Sequence, residues 1–153
     1  MNDAVDKRRS VLRETPEDLK READILDEVC QKFKCSWKKL GNGGKYRIDA
    51  VMFRGKDVKA FAEVKHYVSR LHLLMNVPKY NEGFRLAEIT GKPFLFIVKH
   101  EDRVGYIKVH SGGPFADVQA EVIMGGGTPP GREPNPDDIE PLMKFNSSDV
   151  IWV

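Results

Sequence analysis

The stretch from Tyr46 to Lys65 constrains the fold of this chain more than any other. Two runs rich in β-branched and aromatic residues, about 46–53 and 58–65, flank Arg54-Gly55-Lys56-Asp57. A short polar loop with glycine between two such runs is a hairpin signal. Side chains alternate across a strand, so Glu63 and Lys65 share one face. Asp49 stands fourteen positions before Glu63 on the partner strand, and closing the turn brings it near. Two carboxylates and an ammonium are thereby predicted to converge among Ile48, Ala50, Ala60, Phe61, Ala62 and Val64. An isolated Glu-x-Lys on a strand is ordinarily a surface ion pair. Charges set in an apolar strand pair need another reason, because an uncompensated buried charge is costly.

Two carboxylates held together repel unless a hard cation lies between them, and oxygen donors of this kind suit Mg²⁺ or Mn²⁺. Such an ion keeps several waters, one of which can serve as a nucleophile. The Lys65 ammonium is placed to orient or deprotonate that water, or to stabilise charge developing on an attacked phosphate. The carbonyl of Val64, between Glu63 and Lys65, is a candidate further ligand.

Ile48-Asp49-Ala50, the hairpin and then Ala62-Glu63-Val64-Lys65 resemble the signature of the PD-(D/E)XK nuclease superfamily, with a spacing similar to that of archaeal-type Holliday junction resolvases. Ile48 stands where the signature has proline. The resemblance implies an α/β fold with a restriction-endonuclease-like core, a central mixed β-sheet flanked by helices. It also implies Mg²⁺ dependence and cleavage of DNA phosphodiesters, with Asp49 and Glu63 as metal ligands and Lys65 as the catalytic lysine. In that superfamily an acidic residue from the first helix commonly reaches the metal, and Glu22 matches its placement better than Glu28. A solvent-facing glutamate is the competing reading of Glu22. The Gln-x-x-x-Tyr pattern of an exonuclease branch is missing from residues 78–90.

At 153 residues the chain fits one domain. Residues 1–14 are expected to form a tail or short helix, 15–110 the nuclease core, and 111–153 a loop-rich extension of the same domain. No run approaches the length of a membrane span and the polar start lacks the apolar centre of a secretory signal, so a cytoplasmic location is expected. Cys30 and Cys35 have no Cys or His partners at metal spacing and are expected as reduced thiols. The net charge of +2 conceals a division along the chain. Residues 31–72 carry eleven Lys and Arg against three acids, whereas 101–153 carry four basic residues against nine acidic ones. Positive charge therefore gathers around the carboxylates, as a polyanion such as DNA requires. Lys45, Arg47, Tyr67, Ser69 and Arg70 are the candidate DNA contacts. His66 and His72 are read first as polar or packing side chains and second as proton carriers.

Thr15-Pro16-Glu17-Asp18 has the marks of a helix start, and Leu19, Ala23, Leu26, Val29, Cys30 and Phe33 recur at helical spacing over about 16–33. Residues 35–40 suit a first strand, and Gly41-Asn42-Gly43-Gly44-Lys45 a loop. A helix from about 78 to 90 is expected, then a doubly covered strand over 93–98 and its antiparallel neighbour over 103–109. Beyond residue 110, Gly125–Arg132 is a Gly/Pro-rich loop and Asn135–Pro141 an acidic, turn-rich segment. Val150–Val153 is expected as an edge strand or a contact between copies, and a homodimer is expected because one such site cuts one strand.

Overall fold

A computed structural model describes residues 15–40, 47–113, 120–126, 133, 135 and 139–153. The expected tail, the glycine loop with Lys45, and most of the Gly/Pro-rich segment lie outside these residues. Helix α1 spans Pro16–Phe33 and is closed by the capping box that the sequence suggests: the Thr15 hydroxyl accepts from the Asp18 N–H and the Asp18 carboxylate from the Thr15 N–H. Its buried face is Ile25, Leu26, Val29 and Cys30, while Leu19, at the start of the apolar stripe, is exposed. The last carbonyls of α1 are taken by a side chain from the sheet, Arg54, whose Nη2 and Nε donate to Phe33 O at 2.8 Å and Lys34 O at 3.1 Å. Trp37 Nε1 donates to Asp27 Oδ1 at 2.7 Å, and Lys99 Nζ pairs with Glu28 Oε2 at 3.1 Å. These ties fix the helix, and with it Glu22, against the sheet.

The strands are β1 (Ser36–Lys39), β2 (Ala50–Arg54), β3 (Asp57–Tyr67), β4 (Leu74–Asn76), β5 (Phe94–His100), β6 (Arg103–His110), β7 (Glu121–Gly126), β8 (Ile139–Lys144) and β9 (Ile151–Trp152). Helix α2 spans Val77–Thr90 between β4 and β5. The main sheet has the order β1-β2-β3-β5-β6-β9, in which β3 and β5 run parallel and every other pair antiparallel. The predicted hairpin closes between Arg54 and Asp57, with Gly55 at φ 63°, a conformation that glycine adopts without strain.

Alternation along the central strands builds two cores. Ala60, Ala62 and Val64 of β3, with Leu95 and Ile97 of β5, pack under the buried face of α1. Phe61 of β3 and Phe94, Phe96 and Val98 of β5 point the other way, toward Ala87 of α2. The 94–98 run is therefore covered on both faces, as its unbroken apolar character predicts. Gly83 lets α2 lie close to β5, for a Cβ there would come within 2.3 Å of the Phe94 ring.

The expected loop-rich extension supplies β7 and β8 of a second sheet, β4-β8-β7, whose third strand comes from the core segment. Met75, Met143 and Phe145 carry the α2-side core onto it, and the Phe145 ring meets Phe96 edge-on at 5.3 Å. Residues 139–141, expected within a turn, begin β8. Pro141 is tolerated because β4 pairs only with residues 142–144, so β8 has a single neighbour at the proline. Val150–Val153 does include the edge strand, β9, which pairs with β6. Gly105 makes room for it, since a Cβ there would meet Val150 and Trp152 below 3 Å. Both cysteines are free, and burial pushes the Cys30 thiol up to about 12. Among the described residues no helix is long and apolar enough to cross a membrane.

Candidate active site

The site lies where β2 parts from β3. The last pair of their ladder is Ala50 with Ala62, and the Asp49 N–H still donates to Ala62 O at 3.1 Å. Even-numbered residues of this part of β3 direct their backbone groups toward β2, so Val64 needs a partner that the departing strand no longer supplies. The Asp49 side chain supplies it, with Oδ2 accepting from the Val64 N–H at 2.7 Å in a buried setting. The Val64 carbonyl leaves the strand on the same edge as its N–H and faces this opening. Asp49 itself is anchored on its other side, its carbonyl accepting from the Leu40 N–H at 3.0 Å.

Glu63 follows from strand alternation, on the α2 side of β3. It is fully buried at 0% exposure, and Asp49 is 5% exposed. Lys79, from the first turn of α2, brings Nζ to 2.8 Å from Glu63 Oε2. The contact is a close ion pair, and Glu63 Oε1 has no hydrogen-bond partner among the described residues. Burial holds the Glu63 carboxyl well above the usual carboxylate range, the neighbouring Asp49 adds to the rise, and Lys79 opposes it. A carboxylate so placed carries a standing demand for positive charge.

A cavity of about 230 Å³ opens beside this pair. Asp49, Val64 and Lys65 line it from the sheet, Glu22 from α1 and Lys79 from α2. The structure thus brings together Glu22, Asp49, Val64 and Lys65 around the buried Glu63. Lys65 is exposed on the β3 face that carries Glu63. Glu22 is turned onto Lys39 of β1, Oε1 to Nζ 2.9 Å. Among the described residues no three Asp, Glu, His or Cys side chains stand close enough to hold a metal ion together. His66 also borders the cavity, with Nδ1 buried and without a hydrogen-bond partner among the described residues. Burial first, then Arg21 and Lys99, holds its pKa below the ordinary value.

The candidate DNA contacts are dispersed. Arg47 is exposed just before β2. Tyr67 packs against the α2-side core, where burial pushes its phenol up to about 12 against the opposing hydrogen bond with the Leu74 backbone. Ser69 is exposed and its carbonyl lies 2.8 Å from His100 Nε2. Arg70 and His72 border a different cavity of about 840 Å³ along the three-stranded sheet, larger and lined by Glu121, Lys144 and Asp149 but by none of Glu22, Asp49, Lys65 or Lys79. Lys45 lies outside the described residues.

Lys79 is the member that sequence reasoning passed over. The signal for a helix start was present in Asn76-Val77-Pro78, and Asn76 Oδ1 does accept from the Lys79 N–H at 2.8 Å. What the sequence lacked was the distance across the crossover from β3 to α2.

Residues 7–152 match the model of a protein family described as phage putative PDDEXK endonuclease. No curated protein matches the chain. The family match covers nearly the whole length and includes the hairpin, the acid pair and Lys65. The six-stranded mixed sheet between two helices is the restriction-endonuclease-like architecture that goes with it. The chain therefore belongs to this phage PDDEXK endonuclease family, within the PD-(D/E)XK nuclease superfamily.

Proposed function

We propose that the protein is a divalent-metal-dependent DNA endonuclease that hydrolyses phosphodiester bonds at the Asp49–Glu63–Lys65 site. The observation that carries the proposal is the cavity that Asp49, Lys65 and Glu22 border, with Glu63 fully buried behind it on the same strand as Lys65. Nucleases of the PD-(D/E)XK type generally use divalent metals. The donors here fit that class, being carboxylates with one orphaned buried oxygen, Glu63 Oε1, and the strand-edge carbonyl of Val64. Asp49, Glu63 and the Val64 carbonyl would hold Mg²⁺, or Mn²⁺, with Glu22 available as a further carboxylate once released from Lys39. The bound ion would supply an activated water and neutralise charge on the attacked phosphate.

Lys65 orients the attacking water and donates to the non-bridging phosphate oxygen as negative charge develops there. Asp49 holds the end of the strand in place while presenting a carboxylate oxygen to the site. Lys45, Arg47, Tyr67, Ser69 and Arg70 would contact the DNA. The uneven charge along the chain supports a polyanionic substrate. Four-way or branched DNA is the preferred substrate, on the spacing similar to that of junction resolvases, and paired incisions would use a two-fold homodimer.

The test is cleavage of a labelled panel, comprising a four-way junction, a flap, single-stranded DNA and linear duplex, with Mg²⁺ or Mn²⁺ against EDTA and with Asp49→Asn beside wild type. Metal-dependent cutting lost in Asp49→Asn is expected, with the junction cut fastest. Binding without cutting under either metal would instead make the protein a non-catalytic nucleic-acid-binding module, and equal cutting of all duplexes a general nuclease.

A further inference from the structure

We infer that Lys79 is a built-in counter-cation of the acid pair, which occupies Glu63 in the cation-free protein and competes with a divalent ion for that carboxylate. The inference rests on the metal-site reading above and assigns Lys79 a positioning role.

Three observations carry it. The first is proximity, 2.8 Å from Lys79 Nζ to Glu63 Oε2, with side-chain exposures of 15% and 0%. A carboxylate with no access to water must draw its compensation from the protein, and this ammonium is the group in contact. The second is that Lys79 stands where a helix least favours it. It lies in the first turn of α2, which contains no acidic residue, at the positive end of the helix dipole. A cation there is held by Glu63 across the crossover, with Glu82 one turn further on as a second acid within its influence. The third is that the same cavity is bordered by Lys79, Asp49, Val64 and Glu22, so ion and ammonium would share one space. Two positive charges a few ångströms apart repel strongly at the effective dielectric of a protein, so ion and ammonium cannot both sit on one carboxylate. On cation binding the flexible Lys79 chain moves off Glu63 toward the cavity mouth, where a phosphate oxygen is an anion it can take instead.

Lys39 makes a similar pair with Glu22, Nζ to Oε1 2.9 Å, but both partners reach water, with side-chain exposures of 26% and 12%. It serves as an internal comparison, since a better-solvated ammonium competes less.

The experiment is a calorimetric titration of Mn²⁺ into the full-length protein, stripped with EDTA and free of DNA, for wild type, Lys79→Met, Lys79→Gln, Lys39→Met and Asp49→Asn. Wild type is expected to bind Mn²⁺ in a manner that Asp49→Asn removes. Lys79→Met is expected to bind about fivefold tighter or more, Lys79→Gln to shift the same way, and Lys39→Met to shift less. Without cation, Lys79→Met is expected to melt lower than wild type, and Glu63→Gln in the same chain to restore most of the loss. A merely structural lysine would lower the melting temperature without tightening Mn²⁺ binding. Asp49-sensitive binding that both Lys79 variants leave unchanged or weakened overturns the inference alone. Wild type showing no Asp49-sensitive binding overturns the metal-site reading, and the inference with it.

Discussion

Replacing Glu63 by Gln should make the cation-free protein more stable at neutral pH while abolishing its chemistry. Glu63 is fully buried and its pKa is raised above the ordinary 4.5, chiefly by burial and then by Asp49. A group whose folded pKa is raised contributes stability that is complete below its unfolded pKa and is lost as pH rises through the folded value. Wild type without cation therefore weakens from about pH 4.5 upward on account of this residue, and Gln, which does not titrate, removes that loss. Against the gain stands the lost attraction of Lys79, which is 15% exposed and retains Glu82 nearby. In other proteins replacing a whole buried ion pair has ranged from no effect to about 1–4 kcal/mol of stabilisation, whereas removing one partner has cost about 3–5 kcal/mol by stranding the other charge. Lys79 is not stranded, because it reaches water and keeps Glu82, so a small net gain of about 1 kcal/mol at pH 8 is expected. For a chain of this size that corresponds to a rise of about 2–4 °C in melting temperature. The assay is thermal and urea denaturation in EDTA at pH 5, 6.5 and 8. The difference between variant and wild type should be smallest at pH 5 and grow with pH. A variant equally or more destabilised at pH 8 than at pH 5 would refute the reasoning, because it would mean that the buried carboxylate is ionised without strain.

Asp49→Ala should cost about 1–3 kcal/mol by leaving the buried Val64 N–H unpaired, whereas Asp49→Asn, whose Oδ1 can still accept from it, should fold nearly as wild type; urea denaturation separates the two. Lys65→Ala, at an exposed position, should leave folding and DNA binding close to wild type and lower the cleavage rate by about 10²–10⁴, measured in single turnover against a binding assay. Gly83→Ala exchanges glycine for the best helix former yet should lower the melting temperature, because the added Cβ would fall 2.3 Å from the Phe94 ring and lift α2 off β5. A rise in melting temperature for that variant would show that α2 is not seated as described.

The main sheet was legible from the sequence because its signals are local. The cap at Thr15, the turn at Gly55, the unbroken apolar run Phe94–Val98 and the helix stop at Gly91 each state their element within a few residues. The second sheet was not, for a physical reason. β4 has only three residues, β8 contains Pro141, and β7 ends in glycines, so none has the length or pattern of a strand by itself. They are held by each other and by Met75, Met143 and Phe145 entering a core that already exists. Tertiary burial of this kind leaves little trace in a short window of sequence.

The site shows the same division more sharply. Alternation on β3 is enough to place Glu63 and Lys65 on one face, and the hairpin is enough to bring Asp49 to them. Neither reveals that β2 departs at Ala50, yet this departure makes the site. It leaves the backbone of Val64 without a strand partner, turns the Asp49 carboxylate inward to satisfy the N–H, and opens the cavity into which Lys65 faces. The helix that crosses from β4 to β5 then delivers Lys79 onto the carboxylate that is most deeply buried. A gap in a ladder would ordinarily be a defect that water or a loop repairs. Here it is repaired by an acidic side chain beside a second acid, so the repair itself concentrates negative charge where only a cation can balance it. The demand for positive charge and the opening that admits a phosphate thus have a single structural origin, the early end of β2.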